Sequence, residues 1–287
     1  MKRALWILAL GGCNAIFGLD QTRAIDAAVS IDAAPAVCPA IGSGPPTFAP
    51  NPTVFGGMHC VAYTTSAIRA TAVTLCETGL VEGLIGSSVF EAVAITGQAG
   101  FTLTSPRLSP NGDELFAVAR PATPGGPREL QRYRRLGTGA FQFAETIPLS
   151  GPEALQLESV SPPSATADQH LIVHLFDTGG TSTFVELYEK SGSGWSELRR
   201  ETRAQVGTES MGFPSLSPDG LRLVFSGSLP VGGAPNILYR ERASVADAFG
   251  PPVIIGGVDA NRLWPHLAPD CSRLYFSRID ALEYVSQ

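Results

Sequence analysis

The sequence predicts an all-β protein, and within that class a β-propeller of about five four-stranded blades. Glycine and proline supply 31 and 23 of the 287 residues, which gives enough turns for many short strands. A turn signature followed by an apolar strand recurs between residues 104 and 287 at a period of about 50 residues, as expected for propeller blades. The 44% hydrophobic and 16% charged content is that of a globular protein and excludes a disordered chain.

The first thirteen residues have the composition of a signal peptide. Lys2 and Arg3 precede the apolar stretch 4–10, which is far too short to span a bilayer. The sequence Leu10-Gly11-Gly12-Cys13 at its end resembles the lipobox of bacterial lipoproteins, in which the cysteine is acylated and becomes the mature N-terminus. We therefore expect residues 1–12 to be removed and acyl chains on Cys13 to anchor the protein to a membrane. An ordinary signal peptide with an incidental cysteine is the alternative.

Residues 13–53 are rich in Ala, Asp and Pro and poor in aromatic residues, which predicts a flexible tether between the membrane and the domain. The propeller domain is then expected to occupy residues 54–287. Asn14, rather than the aspartate that retains enteric lipoproteins at the inner membrane, follows Cys13 and favours the outer membrane. The formal net charge of −6 and the isoelectric point near 5.3 argue against a nucleic-acid partner.

The recurring turn signature is clearest at residues 217–220, Ser-Pro-Asp-Gly, before the apolar strand 221–226. Copies stand at residues 109–112 and, with cysteine in place of glycine, at 268–271. Proline presets φ for a tight turn, Asp or Asn bonds nearby backbone amides, and Gly accepts a positive φ. We therefore assign a structural role, as turn residues, to Pro110, Asn111, Gly112, Pro218, Asp219, Gly220, Pro269 and Asp270.

Each repeat also contains a later strand that carries a tyrosine. Spacings of 55, 51 and 45 residues separate Tyr133, Tyr188, Tyr239 and Tyr284. A period of about 50 residues that contains about four strands is typical of a propeller blade. A degenerate copy of the turn falls near residue 161, and residues 54–102 supply an atypical first blade. The last blade ends before its outermost strand, and we expect an N-terminal strand to complete it, either residues 54–58 or part of the tether. A six-bladed ring and an irregular β-sandwich are the alternatives.

The repeats resemble those of TolB-type propellers, whose blades carry Ser-Pro-Asp-Gly, an apolar strand and then a third strand of the type (Asn/Asp)-Ile-Tyr. The resemblance covers residues 104–287 and is clearest at 213–226 together with 235–239. It implies an envelope protein whose propeller surface is a non-enzymatic binding scaffold for a protein or glycan partner. Together with the lipobox at Cys13, this predicts a lipid-anchored protein, which we expect to be a monomer. The resemblance implies no cofactor.

Four cysteines remain besides Cys13, and in an oxidising compartment an even number indicates two disulfides. Cys60 and Cys76 fall on neighbouring predicted strands, so we expect them to pair. Cys38 is then left for Cys271, which takes the glycine position of the last turn, and this bond would latch the first region of the chain to the last blade. The cysteine spacings match no zinc module, so no metal site is assigned.

No nucleophile elbow, zinc-protease motif, phosphate-binding loop or dinucleotide fingerprint occurs in the chain, so the sequence assigns no catalytic residue. The alternative function is a periplasmic or surface saccharide hydrolase with acids in the propeller channel. The acids are scattered along the chain, at Asp113, Glu114, Glu158, Asp177 and Asp259.

His170 and His174 are expected to be structural, because on a strand they stand about 13 Å apart. The arginines on the predicted outer strands are interpreted as solvated edges that discourage strand addition, with an anionic partner as the alternative: Arg128, Arg132, Arg134, Arg135, Arg199, Arg200 and Arg203.

Overall fold

The computed structural model describes most of the chain from Cys38 to Gln287. The described residues are 38–56, 60–66, 68–77, 79–85, 89–97, 99–123, 125–137, 139–150, 156–177, 181–190, 194–230, 233–258, 260–278 and 281–287. Within these ranges the chain forms five antiparallel sheets, so the all-β class and the five-bladed propeller are confirmed. No helix in the described ranges has the length and apolarity needed to cross a membrane.

Each sheet is one blade, and its strands follow one another from the inside of the ring outwards. Blade 1 contains β2 (Cys60–Ser66), β3 (Thr71–Cys76), β4 (Gly79–Leu84) and β5 (Phe90–Ala92). Blade 2 contains β7 (Phe101–Leu108), β8 (Glu114–Pro121), β9 (Glu129–Leu136) and β10 (Ala140–Ile147), with β6 (Ile95–Thr96) added in parallel outside β10.

The remaining three blades follow the same plan. Blade 3 contains β11 (Gln156–Val160), β12 (Gln169–Phe176), β13 (Ser182–Glu189) and β14 (Trp195–Thr202), and is followed by the short helix α1 (Arg203–Val206). Blade 4 contains β15 (Ser210–Leu216), β16 (Arg222–Ser228), β17 (Asn236–Glu241) and β18 (Val253–Ile254). Blade 5 contains β19 (Leu263–Leu267), β20 (Arg273–Arg278) and β21 (Ala281–Ser286), with β1 (Thr53–Gly56) as its fourth strand.

The ring is closed by the N-terminal strand β1, which pairs antiparallel with β21. The expectation that a strand near residues 54–58 completes the last blade is therefore confirmed. This closure covers the edge of β21 that an open sheet would leave free.

Part of the segment assigned to the tether also packs against the propeller. Phe48 is 4% exposed and joins the apolar cluster of blades 4 and 5. The Ala49 N–H donates to the carbonyl of Ser286, and Arg222 bonds the carbonyl of Pro39. The sequence analysis did not predict this packing, because the average composition of the segment does not reveal the contacts of one phenylalanine and one cysteine.

The apolar core is divided into clusters that lie between neighbouring blades. Among the described residues there are five such clusters, one for each pair of neighbours around the ring. Phe116 and Val173 belong to the cluster of blades 2 and 3, and Tyr63 and Tyr275 to that of blades 5 and 1. Each blade is therefore stabilised by its two neighbours, as in other repeat architectures.

The inner strands share a bulge that appears at the same position in the blades. In four of them the bulged residue has a positive φ between 49° and 58°: Ala62, Ser105, Phe213 and Trp264. In blade 3 the register shifts by one residue at Glu158 instead. Because the conformation recurs with Ala, Ser, Phe and Trp alike, it belongs to the fold and not to one side chain.

The turn signatures have the backbone geometry that their residues favour. Gly112, Gly220 and Cys271 have φ values of 74°, 71° and 61°. The side chains of Asn111, Asp219 and Asp270 each accept a hydrogen bond from the backbone N–H two residues later. Such turns fix where each hairpin reverses.

The turns of blades 2 and 4 also carry bridges to the preceding blade. Arg135 donates to the carbonyl of Gly112 and, at 2.7 Å, to Glu82 of blade 1. Arg242 donates to the carbonyl of Gly220 and, at 3.0 Å, to Glu186 of blade 3. Their side chains are 2% and 0% exposed. The interpretation of Arg135 as a solvated edge is therefore wrong, because a carboxylate on the neighbouring blade compensates its burial.

Arg132 shows a second bridge of this kind. Its guanidinium is 6% exposed and pairs with Glu114 and Glu145 of its own blade and with Glu189 of blade 3. Burial works to lower the pKa of Arg132, but the hydrogen bonds and charges of these carboxylates outweigh it and raise the pKa. Arg132 is thus also an inter-blade residue and not a solvated edge.

Replacing Gly220 with alanine is expected to destabilise the protein by about 2 kcal/mol. An L side chain in the left-handed region costs roughly 1–2 kcal/mol, and its Cβ would stand 3.1 Å from Cγ1 of Val245. Gly137→Ala is the matched control, because Gly137 also has a positive φ but no atom lies within 4 Å of its would-be Cβ. Urea unfolding of the two variants measures the difference. Equal losses would mean that the turn does not pack against its neighbour.

Candidate functional site

The centre of the propeller is built from one equivalent position on each inner strand. This position follows the bulge, and the five blades place there Thr64, Arg107, Ser159, Ser215 and His266. All five side chains are buried, with exposures of 4% or less. The pattern arises because each blade repeats the same strand geometry around the ring.

Hydrogen bonds between these strands form a closed circle. Thr64 accepts from Leu108 N–H, Arg107 donates to the carbonyls of Tyr63 and Val160, and Ser159 accepts from Phe213 N–H. His266 bonds Ser215 on one side and Thr65 on the other. Every neighbouring pair of blades is therefore linked at the axis by polar contacts as well as by its apolar cluster.

The electrostatics of this circle favour an uncharged His266. Burial, with the nearby Arg107 charge as a smaller cause, lowers the pKa of His266 to about 3. The Thr65 N–H points to Nε2 at 3.1 Å, so Nε2 accepts and the proton sits on Nδ1, which faces Ser215 at 3.3 Å. Burial also lowers the pKa of Arg107 to about 9.

An open cleft of about 490 Å³ lies beside this circle, where the inner strands of blades 3, 4 and 5 begin. We call it the blade 3–4 cleft. Its size falls within the roughly 300–1,000 Å³ of ordinary ligand sites. It is lined by Arg128, Gln156, Glu158, His174, Phe176, Asp177, Ser182, Ser210, Met211, Gly212, Phe213, Ser226, Gly227, Pro235 and Leu263.

Large apolar side chains stand at this cleft in contact with solvent. Phe176 and Leu263 are 41% and 37% exposed. The Phe213 ring packs on Trp264 with centroids 3.9 Å apart, and both residues are held at the inner-strand bulge. Exposed apolar surface in a concave site is typical of a binding surface.

The polar side of the cleft contains a carboxylate that is already held by arginines. Oε1 of Glu158 accepts from Arg120 at 3.1 Å, and Oε2 accepts from Arg128. Arg128 also donates to the carbonyl of Leu157. Asp177, which directly follows β12, accepts from the Thr181 N–H at 2.7 Å.

His174 is the least satisfied polar group of the cleft. It is 5% exposed, and neither ring nitrogen has a hydrogen-bond partner among the described residues. Burial lowers its pKa to about 4, although the nearby Glu158 charge acts in the opposite direction. Cε1 of His174 lies 3.3 Å from the position that a Cβ on residue 212 would occupy. Gly212 has no side chain and therefore makes room for the imidazole ring.

The structure places the sequence-predicted residues as follows. Cys13 and Asp259 lie outside the described residues. Cys60 is bonded to Cys76 and Cys38 to Cys271.

His170 bonds Glu186 at 2.9 Å, whereas His174 lines the cleft. Of the scattered acids, Asp113 and Glu114 pair with arginines away from the cleft, and Glu158 and Asp177 line it.

Sequence reasoning missed the circle at the axis. Arg107, Ser215 and His266 follow Ser-Pro, Phe-Pro and Trp-Pro in the three clear repeats, so the repeat alignment already gave them one position. Thr64 and Ser159 belong to the atypical and the degenerate copies, where this signal is lost.

Comparisons with known proteins concern the fold. No protein-family model and no curated protein match the chain. A family 117 glycoside hydrolase of Zobellia galactanivorans is 8% identical, with a TM-score of 0.56 over 84% of this chain and 90% of that one. TolB from Acinetobacter baumannii is 12% identical, with a TM-score of 0.48 over 80% of this chain and 55% of that one. An α-L-arabinofuranosidase from Podospora anserina is 10% identical, with a TM-score of 0.48 over 88% and 94%.

Proposed function

We propose that this chain is a lipid-anchored envelope protein whose propeller is a non-enzymatic scaffold, and that the blade 3–4 cleft receives its protein or glycan partner. One observation carries the proposal. The cleft is open and exposes Phe176 and Leu263, whereas the axis beside it is filled by buried polar side chains. A partner is thus expected at the cleft and not in an axial channel.

The partner test uses the full chain extracted from envelopes in a mild detergent. We expect the wild-type protein to recover a specific partner and the Phe176→Ala variant to lose it. Leu198→Ala is the matched control, because Leu198 is also 41% exposed but lies on the outer strand of blade 3. A partner that all three proteins recover equally would contradict the cleft as the binding site.

The membrane anchor is proposed on the sequence alone, from the residues around Cys13. Cys13→Ala is expected to abolish palmitate labelling and to move the protein from the membrane fraction to the soluble fraction, because the acyl chains would provide the membrane affinity. Carbonate-washed membranes from cells expressing the two forms give the measurement. A variant that stays with the membranes and keeps its label would refute the anchor.

A saccharide hydrolase is the second candidate, and the presence of both Glu158 and Asp177 at one cleft favours it. Glycosidases use such pairs of carboxyl groups. Against it, both oxygens of Glu158 are engaged by Arg120 and Arg128, which leaves this carboxylate poorly disposed to transfer a proton. Release of reducing sugar by the wild-type protein, lost in Glu158→Gln, would favour the hydrolase over the scaffold.

A further inference from the structure

The blade 3–4 cleft is rich in groups that hydrogen-bond in two or more directions. Eight of its fifteen lining residues have polar side chains. Three of these are serines, and the others carry planar groups: Arg128, Gln156, Glu158, His174 and Asp177. Planar amides, carboxylates and guanidinium groups each present several donors or acceptors in one plane. A ligand with many hydroxyl groups makes fuller use of this set than an apolar anchor does.

The apolar part of the cleft presents two aromatic rings, beside Met211, Pro235 and Leu263. Phe176 is 41% exposed, and Phe213 is fixed by its packing on Trp264. Below them, Gly212 and Gly227 contribute no side chains. A flat C–H face can therefore lie on the rings while a polar edge reaches the hydrogen-bonding groups. Aromatic rings bind such surfaces at little conformational cost.

The lining of the cleft contains two carboxylates and one cationic side chain, so its formal charge is negative. Arg128 is the cationic side chain of its lining, and it is already bonded to Glu158 and to the carbonyl of Leu157. Glu158 and Asp177 would repel an anion. A phosphate or a uronic acid is thus disfavoured, and a neutral ligand is favoured.

His174 supplies the most specific feature. An unpartnered buried imidazole is costly unless a ligand or water completes its bonding. In the neutral ring one nitrogen donates and the other accepts. A hydroxyl group does both, so it can pair with either nitrogen.

We propose that the blade 3–4 cleft binds a short neutral oligosaccharide without cleaving it, with the sugar faces on Phe176 and Phe213 and the hydroxyl groups on Gln156, Glu158 and His174. This rests on the scaffold function proposed above and names its ligand class. A peptide partner is the competing class.

The experiment applies the full chain, purified in a detergent without a sugar headgroup, to an array of neutral and anionic oligosaccharides. The neutral glycan with the strongest signal is then titrated by calorimetry. After incubation with the protein, the same glycan is assayed for new reducing ends, which would show cleavage. We expect binding without cleavage. Phe176→Ala should weaken the affinity by about tenfold or more, and Leu198→Ala should change it less than about twofold. Equal melting temperatures show that the variants are folded.

Five outcomes decide between a glycan ligand, a protein partner and neither. Neutral glycan binding that only Phe176→Ala weakens supports the proposal. Binding to anionic glycans alone, or equal losses in both variants, overturns it. A protein partner that requires Phe176, in the absence of any glycan binding, overturns the ligand class and leaves the scaffold function standing. Neither a glycan nor a protein partner overturns both.

Discussion

Replacing both Cys38 and Cys271 with serine is expected to lower the free energy of unfolding by about 5 kcal/mol. The two cysteines are 233 residues apart, so their bond restricts nearly the whole unfolded chain. It also holds the segment that brings Phe48 into the core of blades 4 and 5. For a chain of this length the melting temperature should fall by on the order of 10 °C. Differential scanning calorimetry measures the change.

The second disulfide provides the comparison. Cys60 and Cys76 are 16 residues apart, and their replacement by serine is expected to cost about 3 kcal/mol. Cys271 stands at a turn position with φ of 61°, where two other repeats have glycine. Pairing Cys38→Ser with Cys271→Gly should therefore recover about 1 kcal/mol of the loss. A smaller loss for the long loop than for the short one would contradict the latch.

Acidification from pH 7 to pH 5 is expected to cost on the order of 3 kcal/mol of stability through two buried histidines. The pKa values of His174 and His266 are about 4 and about 3 in the folded protein, below the ordinary value of 6.5. Each histidine has a lower pKa in the folded protein than in the unfolded chain. Between these two values the unfolded chain therefore binds a proton that the folded protein does not. The contribution is therefore complete above pH 6.5 and is lost as the pH falls toward the folded values. Urea unfolding at pH 7, 6 and 5 measures it.

The control for this pH dependence is His266→Gln. Glutamine does not titrate, so the variant should lose about half of the slope of stability against pH, whatever its stability at pH 7. Burial acts to raise the pKa of Glu186, but His170 and Arg242 lower it below its ordinary value of 4.5. Protonation of Glu186 therefore changes the stability only near and below pH 4.5. An unchanged slope in His266→Gln would show that His266 is not held neutral at the axis.

The repeats made most of the fold predictable. Ser-Pro-Asp-Gly and its variants encode a turn with one positive φ, and their spacing counts blades because each blade needs the same number of strands. The atypical first blade and the strand β1 were also within reach, since an unfinished last blade leaves an edge that must be covered.

The candidate site was less predictable, because it is assembled across blades. Arg128, Glu158, His174 and Phe213 are distant in sequence and meet only when blades 2, 3 and 4 are placed around the axis. The arginine bridges were missed for the same reason. Arg135 and Glu82 are 53 residues apart, and a run of arginines has the same composition whether it faces water or the next blade.

Hydrogen–deuterium exchange of the protein with and without its bound partner or glycan tests whether the blade 3–4 cleft is the binding surface. We expect protection concentrated in the segments 174–177 and 210–213 at this cleft, with little change at the outer strands of the other blades. Protection that avoids these two segments, for example at residues 101–104 beside blade 1, would contradict it.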